Sequence, residues 1–281
     1  MVRVERAVFQ IGMLLFSFSY FGFVFLRMNF AYNKSEYWGY FDMLRFIYVI
    51  IFNLFRAPYM ITRMRKMANH PERYSEEERY RMVQRCIYLM CRTGKISTDA
   101  FGVENLPTEG GYVMIPNHQG KYDALGIIRT HKEPCSLVMD AARSYTMLTS
   151  EVVDLVQGKR LHKNDVRHGL QIINEIAEDM KHGKKYILFP EGGYENNNKN
   201  ILGTFKAGSF KSAVKAQVPI VPVVLIDSYK VFYAFNFGPL TTQVLYLKPI
   251  PYEEYKGMKT VEIAAMVKGR IQAKIDEVLS K

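Results

Sequence analysis

Between residues 112 and 279, short apolar runs alternate with longer stretches of helical period, and this alternation restricts the fold more than any other feature of the chain. Strands are expected at 112–115, 136–139, 185–189, 220–225 and 244–247, and helices at 166–181, 205–216 and 260–279. Such alternation calls for an α/β domain with a mixed central sheet covered by helices. Ligands of such domains gather at strand ends, so the loops that follow strands are where chemistry is to be sought.

The amino terminus adds a different constraint. Residues 7–26 carry no charge, and at about 1.5 Å of rise per residue twenty helical residues match a hydrocarbon core roughly 30 Å thick. No small-x-small cleavage pattern follows, so the stretch is expected to stay in the mature chain. A second apolar stretch, 43–61, is interrupted by Arg45 and Arg56 and is too short to span. It reads as an interfacial or re-entrant helix, with Tyr37, Trp38 and Tyr40 at headgroup depth before it. Together the two stretches form an N-terminal membrane-docking helical hairpin; a hairpin buried in soluble protein is the alternative. Arg56, Arg63, Arg65 and Lys66 would hold anionic membrane lipids, and the positive-inside tendency puts the α/β domain on the cytoplasmic side of the cell membrane. The expected organisation is residues 1–70 as membrane-associated helices with a basic linker, and 71–281 as the α/β domain.

A net charge of +11 on 281 residues fits an anionic partner: a membrane surface, nucleic acid or negatively charged substrates. No nucleic-acid-binding motif is present. Three cysteines, Cys86, Cys91 and Cys135, are an odd number without C-x-x-C spacing, which argues against a disulfide framework or a zinc knuckle and suits a reducing cytoplasm. Residues 74–92 read as an amphipathic helix, with Ser75 and Glu78 as a capping box and Val83, Ile87, Met90 and Cys91 at helical spacing. Cys86 and Cys91 are therefore expected in or near the core.

Four segments carry the chemistry. The first strand runs into Asn117-His118-Gln119-Gly120-Lys121-Tyr122-Asp123. Residues five apart on a continuous helix point about 140° from each other, so His118 and Asp123 meet only across a turn, for which Gly120 supplies a permissive backbone. A carboxylate on one imidazole nitrogen leaves the other for substrate, which is the base-and-orienter half of a triad. No protein nucleophile lies in the segment, so a substrate hydroxyl is expected to take that place. Taken alone, a histidine after a strand is equally a core or surface residue. The basic run from Gly158 to Arg167 enters a helix and suits a phosphate, or else a lipid headgroup at a solvated edge. Phe189-Pro190-Glu191-Gly192-Gly193 ends another strand, and Val218-Pro219-Ile220-Val221-Pro222-Val223 opens one more, expected in the core. The remaining histidines, His70, His131, His162, His168 and His182, show no ligand spacing with His118, so neither a metal nor a cofactor is expected.

In this order the four blocks resemble the 1-acylglycerol-3-phosphate acyltransferase family, over residues 101–251. The resemblance implies that His118 takes the proton of an acceptor hydroxyl while Asp123 orients the ring, and that the alkoxide-like oxygen attacks an acyl thioester. It implies lysophosphatidic acid as acceptor, acyl-carrier protein or acyl-CoA as donor and phosphatidic acid as product. Asn117, Glu191 and Gly192 would shape the acceptor site, with Glu191 hydrogen-bonded to the glycerol hydroxyl or to backbone. Lys163 stands where the family usually has Arg; the charge survives without the bidentate fork, which Arg167 one turn on would supply. The family commonly continues with Thr-Arg where this chain has Gly193-Tyr194, with Lys206 and Lys211 as candidate replacements. Another lysophospholipid or glycerol 3-phosphate as acceptor, and a non-catalytic lipid-binding scaffold, stay open at this point.

Overall fold

The computed structural model describes residues 44–194, 199–233 and 238–280. The uncharged stretch 7–26 and the aromatic residues Tyr37, Trp38 and Tyr40 lie outside them. The strands are β1 (Ile96–Phe101), β2 (Tyr112–Pro116), β3 (Cys135–Asp140), β4 (Lys159–Leu161), β5 (Lys185–Ile187), β6 (Ile220–Ile226) and β7 (Leu240–Tyr246). Helices of eight residues or more are α1 (Leu44–Phe52), α2 (Arg56–Asn69), α3 (Glu76–Gly94), α4 (Asp123–Thr130), α5 (Val166–Lys181) and α6 (Thr260–Leu279).

One mixed sheet runs in the order β1-β7-β6-β2-β5-β3-β4. From β6 through β4 every neighbouring pair is parallel, whereas β7 lies antiparallel to β6 and parallel to β1. All five residues of β2 and all seven of β6 are buried, as parallel strands covered on both faces must be. Their side chains divide by the period of two. Tyr112, Met114, Val221, Val223 and Leu225 join the core under α2, α3 and α4. Val113, Ile115, Ile220, Val224 and Ile226 join the core under α5 and α6.

Local chemistry explains the helix ends. Ser75 Oγ accepts from the Glu78 N–H at 3.1 Å while Glu78 accepts from the Ser75 N–H at 2.8 Å, the expected capping box. Asp165 caps α5 by accepting from the His168 N–H at 2.9 Å. Cys91 is buried and Cys86 half-buried on α3, and burial pushes both thiols up, Cys86 to about 11.

Several expectations change. The edge strands β1 and β4 escaped notice because one is largely exposed and the other is the charged triplet Lys-Arg-Leu. The basic run is thus partly a strand before α5. A single helix at 205–216 is replaced by a 3-10 turn, Ala207–Phe210, leading into a shorter α-helix, Lys211–Ala216, because the Lys206 N–H is tied to the Pro190 carbonyl at 2.9 Å.

Residues 43–281 form one compact unit, so the division expected at residue 70 falls inside it. Met60, Met64 and Met67 of α2 enter the core beside α3. Arg45 is buried and donates to the carbonyls of Gly94 and Gly238 at 2.6 and 3.0 Å. Arg65, expected among lipid-binding cations, instead reaches the buried Glu151 at 2.6 Å. Ile51, Phe52, Phe55 and Tyr59 nevertheless stay exposed on and between α1 and α2. Among the described residues no helix is long and apolar enough to cross a membrane.

Candidate active site

Three neighbouring parallel strands, β6, β2 and β5, deliver their carboxyl ends to one edge of the sheet. His118 follows β2 by two residues, Glu191 follows β5 by four and Ser228 follows β6 by two. Their order in the sheet, not in the chain, makes them neighbours.

The loop after β2 turns into α4, whose first residue is Asp123. His118 Nδ1 stands 2.7 Å from Asp123 Oδ2. The same oxygen accepts from the backbone N–H groups of Gln119 at 2.5 Å and Gly120 at 2.9 Å, while Oδ1 accepts from the Ser228 hydroxyl at 2.6 Å. Asp123 is fully buried, so these bonds are what compensates a charge removed from water. With a carboxylate as its partner, Nδ1 carries the ring proton and Nε2 keeps the lone pair. Nε2 has no hydrogen-bond partner among the described residues, and the His118 side chain keeps 17% exposure. Phe189 stacks on the imidazole with centroids 4.1 Å apart, and Tyr194 meets it edge-on at 4.7 Å, so the ring plane is fixed on two sides.

Glu191 lies beneath this pair. Its Oε1 accepts from the His118 N–H at 2.8 Å and its Oε2 from the Gly203 N–H at 3.0 Å. Burial pushes its carboxyl above the ordinary range, and the two N–H donors only partly offset that. Of the two partners expected for Glu191, the structure therefore gives backbone. Gly192 adopts a left-handed backbone with φ of 71°, and a Cβ there would lie 2.5 Å from Lys206 Nζ. Lys163 Nζ lies 4.0 Å from where a Cβ on Gly193 would stand, and it pairs with Asp140 at 3.0 Å. Two ammonium groups thus flank the glycine turn after Glu191.

Asn117 requires a correction. It is 1% exposed, its Nδ2 donates to the Leu225 carbonyl at 3.0 Å and its Oδ1 accepts from the Leu225 N–H at 2.7 Å, so both amide groups are turned to β6 and brace it against β2. Arg167 is exposed on the first turn of α5, and no hydrogen bond or ion pair among the described residues joins it to the His118 group. Gln119, Ser228, Asn200 and Gly203 were missed. Gln119 stood inside the first block without a role, and Ser228 lies just past the fourth. Among the described residues no group of three or more His, Cys, Asp and Glu side chains is arranged to hold a metal ion.

The acyltransferase family model matches residues 99–226, from β1 to the end of β6. Over these residues the chain is similar to the acyltransferase family. It is 29% identical over 175 residues to 1-acyl-sn-glycerol-3-phosphate acyltransferase alpha of Ovis aries, covering 61% of this chain and 59% of that one. It is 26% identical over 200 residues to 1-acyl-sn-glycerol-3-phosphate acyltransferase of Saccharomyces cerevisiae, covering 69% and 65%. With 1-acyl-sn-glycerol-3-phosphate acyltransferase beta of Homo sapiens the identity is 32% over 163 residues, 55% of each chain. The chain thus matches less than two thirds of the length of these relatives. The crystal structure of the 1-acyl-sn-glycerophosphate (LPA) acyltransferase PlsC from Thermotoga maritima superposes with a TM-score of 0.65 at 18% identity, over 85% of this chain and 98% of that one, and shares its fold. The acyltransferase match stops at residue 226, so Ser228, which completes the Asp123 environment, lies beyond it.

Proposed function

We propose that this chain transfers a fatty acyl group from an acyl thioester to the free sn-2 hydroxyl of 1-acylglycerol 3-phosphate, giving phosphatidic acid for phospholipid biosynthesis. The observation that carries the reading is the His118–Asp123 pair, set at the strand ends with Nε2 of a part-exposed ring left open. His118 Nε2 takes the proton of the acceptor hydroxyl as its oxygen attacks the thioester carbonyl. Asp123 holds the tautomer and stabilises the imidazolium. Collapse of the tetrahedral adduct breaks the C–S bond, and the thiolate leaves with the proton returned from His118.

No protein nucleophile is needed in this route. Cys91 and Cys135 are buried and Cys86 half-buried, with all three thiols raised by burial, and the Ser228 hydroxyl is turned to Asp123. Acyl transfer is therefore direct between the two bound substrates. Lys163 and Lys206 beside the Gly192-Gly193 turn supply positive charge for the acceptor phosphate, in place of the guanidinium that Gly193-Tyr194 lacks. The exposed apolar residues Ile51, Phe52, Phe55 and Tyr59, with Arg56 among them, suit docking on the cytoplasmic face of a membrane that holds anionic lipid.

The test is thiol release from acyl-CoA and from acyl-carrier protein, with 1-acylglycerol 3-phosphate, glycerol 3-phosphate and other lysophospholipids as acceptors. Release with 1-acylglycerol 3-phosphate and its loss in folded His118→Ala are expected. Absence of thiol release with every acceptor, or an active His118→Ala variant, overturns the reading.

A further inference from the structure

The Asp123 carboxylate is held from two directions, and only one of them belongs to its own loop. Oδ2 receives the His118 ring and the N–H groups of Gln119 and Gly120, all within five residues. Oδ1 receives the hydroxyl of Ser228, 105 positions away on the turn after β6. A carboxylate held at Oδ2 alone retains rotation about its own bond, which changes the direction in which it holds the imidazole. The Ser228 hydroxyl removes that freedom.

The turn that carries Ser228 is built for the purpose. Asp227 sits in the left-handed region with φ of 61°, a conformation that costs a non-glycine residue roughly 1 kcal/mol or more. Asn200 secures it from both sides. Its Oδ1 accepts from the Asp227 N–H at 3.0 Å and its Nδ2 donates to Asp227 Oδ1 at 3.1 Å. Gln119 ties this turn back to the first loop, donating to Asn200 Oδ1 at 2.9 Å and to the Leu225 carbonyl at 2.8 Å, with its Oε1 3.0 Å from Ser228 Oγ. Ser228 is 2% exposed.

We infer that Ser228 is a positioning residue for acyl transfer: its hydroxyl fixes the Asp123 carboxylate, and through it the direction of His118 Nε2, from a segment outside the family match. The inference rests on the reading of His118 as general base. Its consequence is kinetic, because the substrate contacts are untouched while the angle of proton transfer is loosened.

The experiment compares wild type with Ser228→Ala and Ser228→Thr. Ser228→Ala is expected to lower kcat roughly 10- to 100-fold with the acceptor KM within about twofold, and Ser228→Thr, which keeps a hydroxyl, to recover most of it. A second measurement needs no substrate. In 15N-histidine-labelled protein the Nδ1–H resonance of His118, identified by its loss in His118→Ala, is expected to move or broaden in Ser228→Ala and to stay in Ser228→Thr. Ser228→Cys, close in size with a weak donor, replaces Ser228→Ala where the latter does not fold. An unchanged resonance in Ser228→Ala overturns the inference. So does wild-type kcat in Ser228→Ala, or a parallel change of kcat and KM that threonine does not reverse. A wild-type chain without acyltransferase activity instead overturns the proposed function, and the resonance still reports on the Ser228 contact.

Discussion

The backbone N–H of His118 donates to Glu191 Oε1 at 2.8 Å, so the proposed base is held by its main chain as well as by its ring. Asp123 fixes the imidazole and Glu191 fixes the peptide it hangs from, and the two carboxylates approach from different loops. Glu191→Gln leaves one oxygen for two N–H donors and turns an NH2 group toward the second. A buried donor left unpaired costs about 1 to 3 kcal/mol, read as a lower urea midpoint at neutral pH.

The same carboxyl sets a pH dependence. Burial raises Glu191 above its ordinary 4.5, with the His118 and Gly203 N–H groups opposing the shift. The folded chain therefore binds this proton more tightly than the unfolded chain. Its contribution to stability is greatest below the unfolded value and is lost as pH rises through the folded one. Urea unfolding at several pH values should show wild type gaining stability relative to Glu191→Gln as pH falls from neutral toward mildly acidic. A difference that stays flat, or shrinks, contradicts the raised carboxyl.

Gly203 gives a sharper test of the same brace. A Cβ at this position would stand 2.3 Å from Glu191 Oε2, well inside contact distance, so Gly203→Ala forces the carboxylate off its backbone donors. Loss of stability of about 1 to 3 kcal/mol is expected together with a fall in kcat, since His118 loses its main-chain anchor. Differential scanning calorimetry and thiol release measure the two effects. Gly208→Ala is the control, because a Cβ there meets nothing within 4 Å.

How much of this was legible depends on the range of each interaction. His118 and Asp123 are five residues apart, and a turn between strand and helix was enough to place them together. The strands β2, β3 and β6 were visible because buried parallel strands are continuous apolar runs. Ser228 and Asn200 were not visible. Their roles depend on β6 lying beside β2, a sheet order that no local pattern states. Lys163 and Lys206 are brought to one glycine turn from different elements for the same reason. Polar residues such as Asn117 and Gln119 give no hint from their spacing whether they face substrate or backbone, and here both face inward.

Asn117→Ala separates these two fates. A residue bound to an acceptor changes KM when removed, whereas one paired twice with the Leu225 backbone changes stability. Removing Asn117 leaves the buried Leu225 N–H of β6 without its partner, while the Leu225 carbonyl keeps the Gln119 amide at 2.8 Å. Destabilisation of about 1 to 3 kcal/mol is expected for that one group, with the acceptor KM of the folded fraction little changed. A large rise in KM at unchanged stability returns Asn117 to the substrate.

Lys163 sits 3.0 Å from Asp140, so the ammonium offered to an acceptor phosphate already holds a carboxylate. Burial alone would raise the Asp140 carboxyl, but the Lys163 ammonium and the Ala142 N–H together keep it below the ordinary range, so Asp140 is ionised at neutral pH. An incoming phosphate competes with Asp140 for the same cation and meets the repulsion of its charge. Asp140→Asn keeps an oxygen for the Ala142 N–H, which Asp140 accepts at 3.1 Å, and puts a neutral NH2 group where the charged oxygen held Lys163. The KM for 1-acylglycerol 3-phosphate should fall about 2- to 10-fold in Asp140→Asn, an effect that shrinks at high salt because the site is part-exposed. Lys163→Ala should raise the same KM, and in the double variant the benefit of Asp140→Asn should vanish. Benefit that persists without Lys163 would show that Asp140 acts on the acceptor by another route.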